Sequence, residues 1–466
     1  MNLTLLNRYD FLGRFFSLTI VNILSNIMVP LAGSISVAFL GHLTDIHQLV
    51  GVTLATILFD GIYWVLNFLR TGTTGMTAQA VGRDDREGVL LVGLRNGFIA
   101  LGIGLLILIL QSPLHRLGFA LMNATPEVKA IGIAYFNVRI WGFPAALLNM
   151  VLMGWLLGRE KSTQVLLMSL IGNGANILLS YITIIQWNWA STGAGFSQAF
   201  SDYLMLFVGL ILVSREMLLP KIRVVAEQLW KTSEFKATLT LNANLFVRSL
   251  IIAFIFATFT SLGAAMGSSI QAENALILQV LLLAQFFCQG VGFATETLVG
   301  NFKGKKAQEQ FLPLLQIALS TNLVIGLTFS VVSILFTESI FGLFTNHADI
   351  IAEITIYVPW LLSIIGFSTI ALLLEGYFAA LAEGKVLRNS VLAGAFLGFT
   401  PIAVLTWYFH SNHMLWLAMA MFGVVRAVTI GIQVPRTLEN NLETVSPFGE
   451  VKSQKSKVRN KGLLPS

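Results

Sequence analysis

Charge is scarce in this chain. Of its 466 residues, 11% are Asp, Glu, Lys or Arg and 55% are hydrophobic, where a soluble domain carries about 25% charged residues. With a mean hydropathy of +0.77, so much apolar surface cannot be hidden from water, and lipid must be its solvent. Cysteine is almost absent as well. Cys288 stands alone in an apolar run, which excludes a disulfide framework and a thiolate metal cluster. Catalytic signatures are missing: there is no zinc-protease His-Glu-x-x-His, no phosphate-binding loop and no Gly-x-Ser-x-Gly. His42, His47, His115, His347, His410 and His413 fall at run ends or in loops, where histidine is ordinarily interfacial rather than a metal ligand. No acid pair, Ser/His pair or metal-ligand spacing lies within the apolar runs. Neither an enzyme nor a bound cofactor or metal is expected.

Long apolar runs are what the chain does have. A spanning helix needs about 20 mostly apolar residues. Twelve runs qualify, at approximately 15–40, 50–76, 88–110, 127–157, 164–186, 195–214, 240–263, 270–299, 312–336, 350–382, 386–409 and 413–435. The first extends well past the apolar core of a signal peptide and reads as a retained span. Pro30, Pro144, Pro359 and Pro401 lie inside runs and each predicts a bend, since proline removes a backbone hydrogen bond.

The positive charge is concentrated in alternate loops. Arg8 and Arg14 precede the first run, Arg83 and Arg86 follow the second, Arg159 and Lys161 the fourth. Lys303, Lys305 and Lys306 follow the eighth, and Lys385 and Arg388 the tenth. Loops 41–49, 187–194, 264–269, 337–349 and 410–412 hold no lysine or arginine. The positive-inside rule therefore places both termini in the cytoplasm, as a multi-pass protein of the plasma (inner) membrane with an even number of spans. The basic tail from Lys452 to Lys461 reads as a disordered cytoplasmic end near anionic lipid, not as a nucleic-acid site.

The connection 215–239 is the one long polar interruption before the tail. Its Leu218, Ile222, Val225 and Leu229 fit an amphipathic helix at the cytoplasmic interface. It divides the chain into an N-lobe (1–214), a linker (215–239), a C-lobe (240–435) and a disordered tail (436–466). Six spans return the chain to its starting side, so the two halves face the same way about a pseudo-twofold axis along the membrane normal. A sequence echo supports the duplication. Thr71–Arg83 matches Gln289–Asn301, with Gly72 on Gly290, Thr77 on Thr295, and Val81-Gly82 on Val299-Gly300. A weaker echo places Gly154-Trp155 against Gly376-Tyr377. The fold class is thus an all-α polytopic membrane protein of two six-helix lobes.

Ionisable residues inside spans are costly, at about 2.5–3.5 kcal/mol on insertion scales, so each needs a partner, a wet cavity or a function. The candidates are Asp60, Arg139, Asp202, Arg248, Glu273, Glu296, Glu375 and Arg426. Asp60 and Glu375 are the deepest acids of their halves and lead as ion-coupling or substrate-binding residues, with an ion pair to Arg139 or Arg248 as the alternative. A carboxylate in a low-dielectric cavity can exchange a proton or accept a cationic group. Glu296 lies toward the cytoplasmic end of its run and fits a gate-side salt bridge with a basic loop. Asp202 and Glu273 lie near run ends, where water can reach them. Asn176 and Ser180, one turn apart, fit either close helix packing or a cavity wall.

Several blocks resemble the multidrug and toxic compound extrusion (MATE) family, in its DinF-like branch. They are Pro30–Leu43, Asn67–Gly82, Gly154–Glu160, Ile171–Leu179 and Glu375–Phe378. The resemblance covers about 15–435. It implies two lobes around a central cleft, alternating access, and export of a small organic compound, cationic ones included, against a proton or sodium gradient. The lipid bilayer is then the only other partner expected, and the chain is read as a monomer. Three acids common in the branch are neutral here: Ser36 in the first helix, Ser180 in the fifth and Gln289 in the eighth, while Glu375-Gly376 keeps its charge. A serine cannot titrate near neutral pH, so an N-lobe proton site is expected to be lost or relocated. Two alternatives remain at this point: a lipid-intermediate flippase of the same superfamily, and an uncoupled or transport-inactive relic.

Overall fold

The structure, a computed structural model, describes residues 9–43, 45–120, 122, 124–214, 228–230, 232–345 and 347–439. Of the predicted interfacial linker helix, residues 215–227 and 231 lie outside that set, as do residues 440–466 of the tail. Twelve helices among the described residues are long and apolar enough to cross a membrane. The first half holds α1 (Leu12–Gly41), α2 (Ile46–Gly82), α3 (Arg86–Ile109), α4 (Pro126–Gly158), α5 (Ser162–Gln186) and α6 (Ala190–Ser214). The second holds α7 (Ser233–Ala265), α8 (Ser268–Lys305), α9 (Gln308–Leu335), α10 (Trp360–Ala380), α11 (Gly384–Phe409) and α12 (Asn412–Leu438). Short helices Gln111–Ala120, Thr337–Phe341 and Ala348–Tyr357 lie at the end with few basic residues.

Proline explains the largest departure from the predicted runs. Run 350–382 is two helices, because Pro359 caps α10 and separates it from Ala348–Tyr357. A helix start tolerates proline, since its missing N–H has no intrahelical acceptor there. Pro144 does similar work in α4, following a 3₁₀ turn at Ile140–Gly142. Pro30, by contrast, is carried inside α1 without a break. The two lobes also share an irregularity that no residue pattern predicted. A π-helical stretch, Tyr181–Gln186, closes α5, and another, Gly394–Phe399, precedes Pro401 in α11. Such stretches loosen the regular ladder and often mark functional sites.

Packing repeats across the halves. The second part of α2 packs on α4 as α8 packs on α10, and α1 on α5 as α7 packs on α11. The lobes meet where α8 crosses α1 and α2, and where α2 meets α7.

At the basic-loop end that meeting is made by backbone. A Cβ on Gly82 would stand 2.1 Å from the Asn301 carbonyl oxygen, and one on Gly304 2.3 Å from that of Gln79. On Gly300 it would be 2.6 Å from the Cβ of Ala78, and on Gly75 2.6 Å from the Ala379 carbonyl oxygen. Only glycine permits so close an approach. The duplicated Val-Gly pairs are therefore one seam seen from both sides. A hydrogen bond closes it further: Gln79 Nε2 donates to Ala380 O at 2.6 Å, while Lys303 Nζ donates to Leu381 O at 2.7 Å within the C-lobe side. Arg14 and Glu160 form an ion pair at this same end.

Candidate functional site

Beyond the seam, at mid-membrane depth, a cavity opens between the lobes. Trp64, Asn67, Phe68 and Thr71 of α2 face Arg248, Ser249, Ile252 and Phe256 of α7; Gln285 and Gln289 of α8, Ser368 and Leu372 of α10, and Arg426 of α12 complete it. Part of its space is open to solvent. Trp64 meets Phe256 edge-on, with ring centroids 5.2 Å apart, so one wall is aromatic. The rest of the lining is largely polar and carries two guanidinium groups, Arg248 and Arg426.

Those two arginines share one acid. Glu375, 5% exposed, accepts from Arg248 through one carboxylate oxygen and from Arg426 through the other. The sequence reading named Glu375 and Arg248 as a candidate pair; the structure adds Arg426 and places Glu375 outside the cavity lining. The Nε atoms of Arg248 and Arg426 are buried with no hydrogen-bond partner. Arg426 also lies over the Phe422 ring, 4.9 Å from its centroid.

The N-lobe arranges its charges differently. Arg139, 8% exposed, donates to the Tyr135 hydroxyl at 2.8 Å and lies over the Phe59 ring at 4.3 Å. Asp60 is 4.0 Å from it, and the Asp60 side chain is 68% exposed. A carboxylate so open in mid-helix needs water beside it. Asp202 is a second acid acting on the same arginine. It lies in the interior of α6, which starts at Ala190, not near a helix end as the run 195–214 suggested. Its Oδ1 accepts from Gln198 at 3.3 Å, while Oδ2 is buried and unpartnered.

A chain of polar side chains leads away from Asp202. Gln198 Oε1 accepts from Asn176 Nδ2 at 3.1 Å; Asn176 Oδ1 accepts from the Ser36 hydroxyl at 3.1 Å; Ser36 and Ser180 are hydrogen-bonded at 3.1 Å. The structure thus unites Ser36, Asn176 and Ser180, three residues chosen separately from the sequence, and extends them to Gln198 and Asp202.

Glu296 does not form the expected salt bridge with a basic loop. It is buried, its Oε1 has no partner, and the opposite charges acting on it are Arg70 of α2 and Arg248 of α7. It sits one turn inside the glycine seam, too deep for the loop lysines. Glu273 is buried rather than bathed by water, with Ser269 donating to it at 3.0 Å.

Two buried arginines were missed. Arg70 donates to Asn26 at 3.0 Å and Asn22 at 3.2 Å, and lies 4.0 Å from the Phe293 ring centroid. Arg95 is bound by Glu234 at 2.8 Å and by the carbonyls of Gln228 and Leu229. Both lay inside predicted runs, so counting every charge there would have found them. Outside the spans, His115 packs against Phe136, and burial together with the neighbouring Arg116 pushes its pKa down.

Comparison with known proteins agrees with this geometry. The MatE family model matches residues 22–182 and 245–405, once in each lobe. DNA damage-inducible protein F of Escherichia coli is 31% identical over 411 residues, 88% of either chain. The probable multidrug resistance protein NorM of Pasteurella multocida is 25% identical over 273 residues, 57% of either chain. A MOP-superfamily transporter from Pyrococcus furiosus has the same fold, with a TM-score of 0.83 at 18% identity, covering 92% of this chain and 96% of its own.

Proposed function

This chain belongs to the MatE family of multidrug and toxic compound efflux transporters, and from that premise we propose that it exports a small organic compound by alternating access. It is a multi-pass membrane transporter and not an enzyme. The basic-loop end faces the cytoplasm, both termini included, and the membrane is the plasma membrane. The cavity then sits at the midplane with its cytoplasmic side shut. The observation that carries the reading is this pairing: a cavity lined from both lobes, sealed on one side by the Gly75, Gly82, Gly300 and Gly304 seam. A rocking of the lobes about that seam would open the opposite route.

Export is driven by a proton or sodium ion entering through the N-lobe. Glu375 is a poor carrier for it, because both its oxygens are taken by arginines. Asp202 is the better one: its Oδ2 is buried and unpartnered, its charge acts on Arg139 and Tyr63, and Gln198, Asn176, Ser36 and Ser180 form a hydrogen-bonded path to it. The lost acids at Ser36 and Ser180 are thus replaced by one acid a helix away. Protons can exchange along such hydroxyl and amide groups, and sodium can bind their oxygens.

The test is flux from proteoliposomes carrying an imposed proton or sodium gradient, with fluorescent organic probes of both charges. Asp202→Asn is expected to cut gradient-driven export by on the order of tenfold, a step of ~1.4 kcal/mol, while exchange at equilibrium persists. Unchanged gradient dependence in that variant removes Asp202 from the role. Binding without any flux in the parent removes the transport reading itself.

A further inference from the structure

We infer that the cleft binds an organic acid: a molecule with an anionic head for Arg248 and Arg426 and a flat apolar body for Trp64, Phe68 and Phe256. This rests on the transport reading and names its substrate class. Among the residues lining the cavity, two are arginines and none is acidic. Arginine stays protonated at any physiological pH, so that wall has a permanent positive charge. Glu375 pairs directly with both guanidiniums, and Glu296 is shared between Arg248 and Arg70, so three guanidiniums stand against two carboxylates and one positive charge is left over.

The hydrogen-bonding groups point the same way. The buried Nε of Arg248 and of Arg426 have no partner, and an unmet buried donor is costly. A carboxylate, sulfonate or phosphate is the group that two adjacent guanidiniums bind best. Gln285, Gln289, Asn67, Thr71, Ser249 and Ser368 add neutral polar contacts around such a head. The aromatic residues of the lining, Trp64, Phe68 and Phe256, offer stacking area but no counter-charge for a cation. Glu375 acts here as a built-in competitor: it holds the guanidiniums in place until a second anion shares them.

A pair of probes with matched bodies and opposite charge tests this directly. Binding of 1-naphthoate and of 1-naphthylmethylammonium to the purified full chain is measured by calorimetry. The naphthoate is expected to bind on the order of tenfold tighter or more, the amount that one or two charge-assisted hydrogen bonds supply. Equal affinities, tighter binding of the ammonium, or no naphthoate binding at millimolar concentration overturns the proposal.

Two variants that keep a hydrogen-bonding side chain give opposite signs. Arg426→Gln is expected to weaken naphthoate binding about tenfold, and Glu375→Gln to tighten it by releasing the competitor. The same shift in both variants counts against the site, and the parent's probe preference still decides if either fails to elute as a single species. Repeating the parent measurement in nanodiscs of zwitterionic and of anionic lipid separates two sources of the acid. A preference lost only in anionic discs assigns the cleft to an anionic lipid headgroup; one held in both assigns it to a soluble acid. Flux is measured separately, so naphthoate that binds but never moves overturns the transport reading and leaves the binding preference standing.

Discussion

In the N-lobe Arg139 answers two acids, Asp60 and Asp202; in the C-lobe Glu375 pairs directly with two arginines, Arg248 and Arg426. The scaffolds are alike down to their π-helical stretches and proline-marked breaks. The charges of these two clusters are reversed. The Arg139 cluster has a negative surplus that is loosely held, with Asp60 largely exposed and one oxygen of Asp202 unpartnered. The Glu375 cluster has a positive surplus and is tightly held. A duplicated fold thus holds two charge clusters of opposite sign, and chemistry diverged while packing did not.

Four substitutions test that contrast, in order of expected size. Glu375→Leu leaves two buried guanidiniums without their acid, and should cost about 3–5 kcal/mol, as breaking a buried ion pair does. Thermal unfolding in detergent reads the loss; a cost near that of an exposed pair would mean that the C-lobe triad is not tightly held. Gly82→Ala and Gly300→Ala test the one place where the lobes are equivalent. Each should cost roughly 1–3 kcal/mol of the closed seam through overpacking. Gly82→Ala should cost the more, since its Cβ meets backbone and that of Gly300 meets a side chain. Spin-label distances across the seam, between positions 83 and 306 in a Cys288→Ser background, should lengthen in both; no lengthening in either denies the seam its sealing role. Asp60→Asn should be the mildest, under about 1 kcal/mol, because a partly exposed pair at 4.0 Å is screened by water. A loss as large as that of Glu375→Leu would erase the difference between the lobes.

Much of the architecture was legible because spanning helices obey a length and polarity rule that a run count captures. Run 350–382 misled because hydropathy does not register that Pro359 starts a new helix. The start of α6 was missed for a different reason. Ser191 and Gly193 look like a polar loop, but this part of α6 packs on α5, where Ser197 and Thr183 hydrogen-bond at 2.9 Å, and small residues let the helices approach. That error carried over to Asp202, which was set too near the helix end.

The site was legible residue by residue and not as groups. Ser36, Asn176, Ser180, Asp60 and Glu375 were each picked out, yet nothing in the order of residues says that Ser36 touches both Asn176 and Ser180. Nor does it say that Glu375 recruits Arg426 as well as Arg248. Such partners come from different helices, and their meeting is set by packing. With Ser36 and Ser180 neutral, the N-lobe proton site was expected to be lost or relocated. The structure shows buried charge in both copies, the Arg139 and Glu375 clusters being opposite in sign.

That reversal has an electrical consequence. An organic acid leaving the cell and a cation entering it both carry current in the same direction, inward for positive charge. In a cell whose interior is negative, the resting voltage favours each half of the cycle, by about 2.3 kcal/mol for every elementary charge per ~100 mV. Fixed arginines at the midplane would thus let the membrane voltage itself help to power export.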